Sequence, residues 1–424
     1  MFYGWWIVIL ASFATAFGGA TIWYGFTAFF SPLVNEFGWS YTAISFAASL
    51  RGVETGLLDL PFGFLVDRFG GRRVVFVGSM LAGIGFLMLS RVNSLTTFYI
   101  SFIIIFCGAT GFGLVVFAAI INRWFSKRAG LALGIISAGF GVGGIAVPGI
   151  VYLLDTFSLR IVFVIIGMAT LIAGVFITYF LHSRPEDMGY RPDGVPPNGR
   201  EYDSERASQH TTKLVSPARH YTVKEVIHSP PFWIILYVST ITVFTVQMVM
   251  THVMPYLEHI GYSRYTASIV AMMIPVMSIF GRVGMGWVSD FINRRVMLIL
   301  VTVGQVVGIL LFFYARLSFF LPLFAILFGV SYGGLIILRL QVLRDYYGIT
   351  YIGSIIGLSF GLSTIGGMLG PLLAGWLFDT TSNYSLAWVI SGLLLLSSLP
   401  LILILKNPPP TVKIRSQIST KLPR

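Results

Sequence analysis

The chain has 424 residues, of which 56% are hydrophobic and 10% charged, with a formal net charge of +12. Soluble domains carry about 25% charged residues, so this composition excludes a soluble globular protein and indicates a surface that faces lipid. Backbone polar groups in lipid need internal partners, which leaves helices or a closed barrel. The apolar runs reach membrane length without strand-like alternation, so we predict an all-α membrane protein.

Twelve membrane-spanning helices are predicted, in two groups of six joined by a polar stretch. The first group lies near residues 5–30, 41–66, 74–92, 97–120, 130–153 and 160–181. The second lies near residues 232–257, 266–288, 296–315, 318–338, 350–377 and 386–405. The predicted domains are a six-helix bundle over 1–182, a central cytoplasmic linker over 183–230, a second six-helix bundle over 231–406, and a basic cytoplasmic tail over 407–424.

The two halves share a pattern at a constant separation in sequence. The run from Gly63 to Arg73 ends one apolar span, and the run from Gly286 to Arg295 ends another, 223 positions later (286 − 63 = 223). Such repetition predicts a duplicated unit and therefore two pseudo-symmetric bundles. The same separation relates further small residues: Gly130 to Gly353, Gly134 to Gly357, Gly143 to Gly366, Gly144 to Gly367, and Pro148 to Pro371.

Basic residues set the predicted orientation. With the N-terminus in the cytoplasm, most Lys and Arg outside the spans fall in the cytoplasmic connections, the linker and the tail. This positive-inside pattern predicts a multi-pass protein of the cell membrane with both termini in the cytoplasm. It also accounts for the net charge, so we expect the lipid bilayer as a partner and no nucleic acid. The opposite loops hold only Arg91, Arg160, Arg264 and Arg316.

Sequence motifs of enzymes and metal sites are missing. Cys107 is the only cysteine, which excludes a disulfide and a cysteine metal site. No Walker loop, HExxH, GxSxG or zinc-spaced Cys/His set occurs, so neither an ATP-driven pump nor a membrane hydrolase is supported. We expect no enzyme activity, no cofactor, no metal and a monomeric protein.

The loop Asp67-Arg68-x-Gly70-x-Arg72-Arg73 resembles the signature loop between helices two and three of the major facilitator superfamily of secondary transporters. The weaker copy at Asp290 resembles its counterpart between helices eight and nine. The resemblance covers nearly the whole chain. It implies twelve transmembrane helices in two pseudo-symmetric six-helix bundles.

A finer resemblance is to the monocarboxylate and oxalate/formate branch. The stretch from Arg123 to Gly134 is similar to the loop before helix five in that branch. Arg282, four residues before Gly286, matches an arginine that the branch uses to hold a carboxylate. Two features depart from the pattern: proton-coupled relatives have an aspartate where this chain has Ser278, and oxalate-type relatives have a lysine in helix eleven, where this chain has no charge.

Four ionisable residues lie deep in the predicted spans: Arg51, Glu54, Asp59 and Arg282. Each costs at least about 2.5–3.5 kcal/mol at a bilayer centre, so we expect them to face the protein interior. Arg282 and Arg51 are the predicted substrate-binding cations, and Asp59 and Glu54 the predicted proton-coupling acids. Arg51 and Glu54 are one turn apart, so a purely structural ion pair is the alternative. The 223-residue separation places Asp59 opposite Arg282 at equal depth.

His252 lies near Pro255 in the seventh span and is a further proton-coupling candidate, although a hydrogen-bonded structural role is the alternative. The charged loops have a separate predicted role. In the resembling superfamily they form a latch that grips the opposite bundle in the outward-facing state. The residues of the predicted latch are Gly63, Asp67, Arg68, Gly70, Arg72, Arg73, Arg123, Gly286, Asp290, Arg294 and Arg295.

These observations predict a secondary active transporter that moves a small organic anion, monocarboxylate-like, by alternating access with proton symport or anion exchange. The predicted partner is therefore a small-molecule substrate, with protons as a second coupled species. Efflux of amphipathic drug-like compounds is the alternative within transport. A transporter-like sensor that binds a ligand without moving it is the alternative of another class.

Overall fold

In this computed structural model, the structure describes residues 2–125, 128–183, 185–189, 223–289, 291–348 and 352–405. For residues 52–57, 59, 60, 67, 186 and 187 only the backbone is described. All regular elements in these ranges are helical. Eleven of the described helical segments are long and apolar enough to cross a membrane, and the two-piece helix between the first and second of them completes the twelve expected from the sequence.

The first six spans are α1 Tyr3–Phe37, α2 in two pieces Tyr41–Leu57 and Asp59–Phe69, α3 Gly71–Leu89, α4 Leu95–Trp124, α5 Ala129–Thr156 and α6 Leu159–Phe180. The other six are α7 Pro230–His259, α8 Arg264–Val288, α9 Arg294–Phe313, α10 Phe320–Tyr347, α11 Ile352–Thr381 and α12 Ser385–Ile404. The predicted linker, 183–230, contributes a 3₁₀ turn at Pro185–Met188 and a helix at Val223–Ile227. Its middle and the tail 407–424 lie outside the described residues.

Two irregular turns face each other near the centre of the first half. In α1 a π-helical turn covers Gly19–Tyr24, and in α5 a 3₁₀ turn covers Gly143–Ala146. The absence of a side chain at Gly143 is required here, because a Cβ would overlap the backbone of Ala16 and Ala20. Irregular turns of this kind often occur at functional sites, where they redirect a side chain.

Small residues bring helix backbones together within each half. A Cβ at Gly108 of α4 would collide with the backbone of Ala82 in α3, and one at Gly333 of α10 would collide with the carbonyl of Ser278 in α8. Close packing of this kind stabilises helix association in lipid, where the hydrophobic effect does not drive helices together.

The two ends of the molecule differ in how the halves meet. The basic end carries the loops around residues 70, 125, 293 and 348, and the far end carries the loops around residues 39, 92, 158, 261, 317 and 383. Towards the far end, α2 packs on α11 and α5 on α8. Ser49 donates to the Met368 carbonyl at 2.6 Å, and Gly144 lies directly against the ring of Pro275. The halves are therefore in close contact over the far half of the molecule.

Towards the basic end, glycines of the facing helices α2, α5, α8 and α11 meet empty space. A Cβ added at any of them would have no atom within 4 Å outside its own helix. The cleft between the halves is therefore open at the basic end and closed at the far end. The glycines concerned are Gly63, Gly130, Gly134, Gly284, Gly353, Gly357 and Gly361.

Candidate functional site

Arg282 of α8 reaches across the cleft to the first half. Its Nη1 donates to the Ser137 carbonyl at 2.9 Å and to Ser137 Oγ at 3.3 Å. Its guanidinium carbon lies 6.0 Å from the centre of the Tyr332 ring in α10. The Nε atom is buried and has no hydrogen-bond partner in the described part of the chain. Arg282 therefore keeps one shielded donor unused in this structure.

Tyr24 places a second unused donor beside Arg282. It ends the π-helical turn of α1, is 4% exposed, and packs against Phe140 with ring centres 5.3 Å apart. Its hydroxyl lies close enough to Arg282 and Tyr332 for weak hydrogen bonding but forms a well-aligned hydrogen bond with neither. Buried polar groups are nearly always hydrogen-bonded, and here two buried donors lie side by side without a well-aligned partner in the described part of the chain.

Arg51 of α2 is 1% exposed and is surrounded by protein groups. It donates to the Trp23 carbonyl at 2.9 Å, the Ala48 carbonyl at 3.3 Å and Thr251 Oγ1 of the other half at 3.3 Å. Its guanidinium carbon lies 5.2 Å from the Trp23 ring and 5.3 Å from the Phe26 ring. In this state Arg51 links the halves on the closed side of the cleft.

The side chains of the two acidic candidates, Glu54 and Asp59, lie outside what the structure describes, so their pairing with Arg51 or Arg282 stays a prediction. The backbone shows one relevant feature. The helix of α2 is interrupted at Leu58, and Asp59 is the first residue of the piece Asp59–Phe69. The interruption therefore falls one residue before Asp59, the position that the sequence relates to Arg282.

His252 of α7 is fully buried, and both of its ring nitrogens have partners. Nε2 lies 3.0 Å from the Pro371 carbonyl and 3.1 Å from Ser45 Oγ of the first half. Nδ1 lies 3.1 Å from the Tyr384 hydroxyl. A carbonyl only accepts, so we assign the ring proton to Nε2, and Nδ1 then accepts from Tyr384. This environment fits a neutral histidine that bridges the halves, which was the structural alternative.

Comparisons with known proteins agree with this architecture. The family model "Major Facilitator Superfamily" matches residues 8–318 and 276–423. The chain belongs to this superfamily. It is a membrane transporter and not an enzyme, and the curated relatives described below are monocarboxylate transporters.

Two curated relatives and two solved structures illustrate the similarity. The chain is 27% identical to monocarboxylate transporter 13 of Rattus norvegicus, over 93% of this chain and 87% of that protein. It is 26% identical to monocarboxylate transporter 2 of Mus musculus, over 93% and 82% respectively.

Among solved structures, a bacterial homolog of the human lysosomal transporter Spinster, inward-facing and unoccupied, matches with a TM-score of 0.73 at 15% identity, over 94% of this chain and 96% of that chain. A mutant of the nucleoside transporter NupG matches with a TM-score of 0.73 at 12% identity, over 95% and 99%. These two likenesses concern the fold alone.

The superfamily's signature loops contact their own halves in this structure. Arg72 donates from Nε to the Thr178 carbonyl at 2.9 Å, and Arg68 stacks near Phe69. Arg73 is exposed and Arg123 is half-buried at the end of α4. Gly63 and Gly286 lie on the open side of the cleft, and Gly70 takes the left-handed region with φ of +83°.

The second copy of the loop behaves in the same way. Arg294 pairs with Asp345 of α10, and Arg295 donates to the Ile402 carbonyl at 3.0 Å and to the Leu403 carbonyl. The Asp67 side chain and the whole of Asp290 lie outside the described residues. Cross-bundle gripping by the latch stays a prediction, because the basic end is open in this structure.

The sequence reading missed one buried cation, Arg339 of α10. The tenth span was expected to end at residue 338, but α10 continues to Tyr347, so Arg339 lies about two turns inside the helix. It is 5% exposed, donates to Ser359 Oγ at 2.9 Å and Ser363 Oγ at 2.8 Å, and lies 3.9 Å from the Phe360 ring centre. The available signal was that apolar residues continue after Arg339, at Leu340, Val342 and Leu343.

Proposed function

We propose that this transporter moves a small organic anion, monocarboxylate-like, with Arg282 as the counter-charge. The observation that supports it is the pair of buried, unpaired donors, Arg282 Nε and the Tyr24 hydroxyl. A carboxylate has two oxygens that accept hydrogen bonds and so complements two donors beside a guanidinium. The curated relatives are named monocarboxylate transporters, which points to the same chemistry.

The cleft suggests how the anion reaches this site. Its opening at the basic end and its closure at the far end correspond to one of the two states that alternating access requires. Positive-inside charge places the basic end in the cytoplasm, so this is the inward-open state of a cell-membrane protein in our proposal. In the opposite state the latch loops, with Asp67, Arg123 and Asp290, would meet across the closed basic end.

The driving force is proton symport or anion exchange. Asp59 and Glu54 are the acids we propose for proton coupling, because each lies on α2, one of the helices that line the cleft. Arg51 is a second cation for the substrate once its bond to Thr251 is released by movement of the halves. His252 is the least suited of the coupling candidates, since a second proton on its ring would displace the hydrogen bond from Tyr384.

The test is counterflow of radiolabelled small carboxylates into proteoliposomes, with Arg282→Ala, Arg282→Lys and, as matched control, Arg91→Ala of an exposed far-end loop. Hydrogen bonds to charged groups contribute about 1.5–3 kcal/mol, so loss of the Arg282 guanidinium should raise the half-saturating concentration at least about tenfold. Arg282→Lys should recover part of the affinity, and Arg91→Ala should match the parent.

The outcomes separate the alternatives. Net uptake into vesicles without internal anion, driven by an imposed inward proton gradient, supports symport, and uptake that requires internal anion supports exchange. Saturable carboxylate binding without counterflow would favour the sensor. Transport of amphipathic cations or neutral drugs, undiminished in Arg282→Ala, would refute the anion proposal and favour efflux.

A further inference from the structure

The closed far end contains a helix cap that one half supplies to the other. Asp379, near the end of α11, accepts from Tyr41 N at 2.9 Å, from Thr42 N at 2.8 Å and from Thr42 Oγ1 at 2.5 Å. Tyr41 and Thr42 begin α2 in the first half, whereas Asp379 belongs to the second half. Both carboxylate oxygens are therefore engaged across the boundary between the halves.

These contacts satisfy groups that α2 cannot satisfy itself. The first N–H groups of a helix have no partner within the helix, and the partial positive charge at that terminus favours a carboxylate. Ser40 is the local cap: its Oγ accepts from Ala43 N at 3.1 Å, and its carbonyl accepts from Ile44 N at 3.2 Å. The N–H groups of Tyr41 and Thr42 depend on Asp379, so separation of the halves would leave the start of α2 uncapped.

A second carboxylate crosses the boundary at a related position. Asp155, near the end of α5 in the first half, pairs with Arg264 at 3.0 Å. Arg264 begins α8 in the second half and also donates to the Ala28 carbonyl at 3.0 Å. The internal repeat relates Tyr41 to Arg264 (41 + 223 = 264) and brings Asp155 within one residue of the position equivalent to Asp379 (379 − 223 = 156). Each half thus offers an acid from the end of its fifth helix to the start of the other half's second helix.

The two contacts between the halves, the Asp379 cap on α2 and the Asp155–Arg264 ion pair, differ in expected strength. The Asp155 side chain is 52% exposed and that of Arg264 23%, and solvent and salt screen such a pair strongly. Asp379 is also exposed, but it makes three hydrogen bonds, two of them to fixed backbone N–H groups at a helix terminus. Backbone donors lose no side-chain freedom when the contact forms. The Asp379 cap should therefore stabilise the closed far end more than the Asp155–Arg264 pair does.

We propose that Asp379 and Asp155 are gate-closing residues, and that the Asp379 cap on α2 is the principal contact that keeps the far end shut while the basic end is open. When the far end opens, the start of α2 loses this cap to water, and the conformational equilibrium between the two states depends on that loss. The proposal concerns the substrate-free protein and is therefore independent of which solute is carried.

The test measures far-end separation in Asp379→Ala. In a Cys107→Ser background, spin labels at Thr96→Cys and Ser318→Cys, both exposed at the far end and in different halves, report the distance between halves by pulsed electron paramagnetic resonance in nanodiscs. An N-terminal cap is worth enough to change an equilibrium by roughly 3- to 30-fold. We expect Asp379→Ala to raise the ratio of long-distance to short-distance populations by that factor.

Glu36→Gln is the matched control, because Glu36 pairs with Arg160 at 3.3 Å at the same end but within one half. Its distance distribution should equal that of the parent. Asp155→Asn should shift the ratio in the same direction as Asp379→Ala but less, and should lose its effect at high salt. Thr42→Val removes one of the three bonds and leaves Asp379 in place, so a smaller shift is expected even if Asp379→Ala does not assemble.

Distance distributions of Asp379→Ala and Thr42→Val that superimpose on the parent would overturn the proposal. A shift in Glu36→Gln as large as that in Asp379→Ala would overturn it too, since far-end charge in general would then be responsible. Loss of carboxylate counterflow in Arg282→Ala has no bearing on these distances, so the two proposals fail separately.

Discussion

Replacing Tyr24 by Phe should change stability and affinity in opposite directions. The substitution removes only the hydroxyl, which is buried and forms no well-aligned hydrogen bond in the described part of the chain. Leaving a buried polar group unpaired costs about 1–3 kcal/mol. Its removal should therefore raise the free energy of unfolding of the substrate-free protein by up to that amount, while the aromatic packing against Phe140 stays.

The melting temperature should rise only slightly. Unfolding entropies near 2.1 cal/mol/K per residue give roughly 1 °C per kcal/mol for a chain of this length, so an increase of about 1–3 °C is expected by differential scanning fluorimetry. With a carboxylate bound, the same hydroxyl has an acceptor. Its loss should raise the half-saturating substrate concentration about tenfold, as measured by counterflow.

Tyr256→Phe is the matched control. The Tyr256 hydroxyl donates at 3.1 Å to the Phe312 carbonyl, one of the last carbonyls of α9, which also accepts from Ala315 N at 3.1 Å. This variant should melt lower than the parent by about 1 °C and leave substrate affinity unchanged. If Tyr24→Phe melts as low as Tyr256→Phe and binds substrate as well as the parent, the hydroxyl is neither unpaired nor part of the site, and the reasoning is refuted.

Three further outcomes follow from the packing. Gly333→Ala should destabilise the fold by about 1–3 kcal/mol, because its methyl group would collide with the Ser278 carbonyl. The Cβ of Gly357→Ala meets no atom within 4 Å, so the free energy of unfolding of this variant should lie within about 0.5 kcal/mol of the parent's. Equal stability of the two variants would contradict the structure. Arg339→Lys keeps the charge but loses the planar guanidinium that lies over the Phe360 ring and donates to Ser359 and Ser363. Its melting temperature should therefore fall in scanning fluorimetry, whereas that of the control Arg344→Lys, at an exposed position, should not change. His252→Phe removes the ring contacts to the Ser45 and Tyr384 hydroxyls and to the Pro371 carbonyl and should destabilise by at least about 1–3 kcal/mol. A melting curve identical to the parent's would show that the bridge between the halves is not formed.

Much of the fold was determined by local sequence properties. Hydropathy adds up along a segment, so the positions of the twelve spans and their helical nature follow from composition windows, and the repeat between Gly63 and Gly286 identifies the duplicated unit. The same locality explains the misplaced end of α10. Arg339 lowers the hydropathy at the end of a window, although the helix continues past it.

What the tertiary structure decided is which side chains meet. The sequence singled out Arg282 and Arg51 as costly charges but gave them no partners, because Ser137 and Thr251 lie 145 and 200 residues away. It gave no reason to choose Tyr24, since a single hydroxyl in an apolar run becomes informative only when its neighbours fail to pair with it. Asp379 likewise reads as an ordinary loop acid until the end of α11 is brought to the start of α2. Pairing energies depend on distances between helix faces, and only the packing of the two halves fixes those distances.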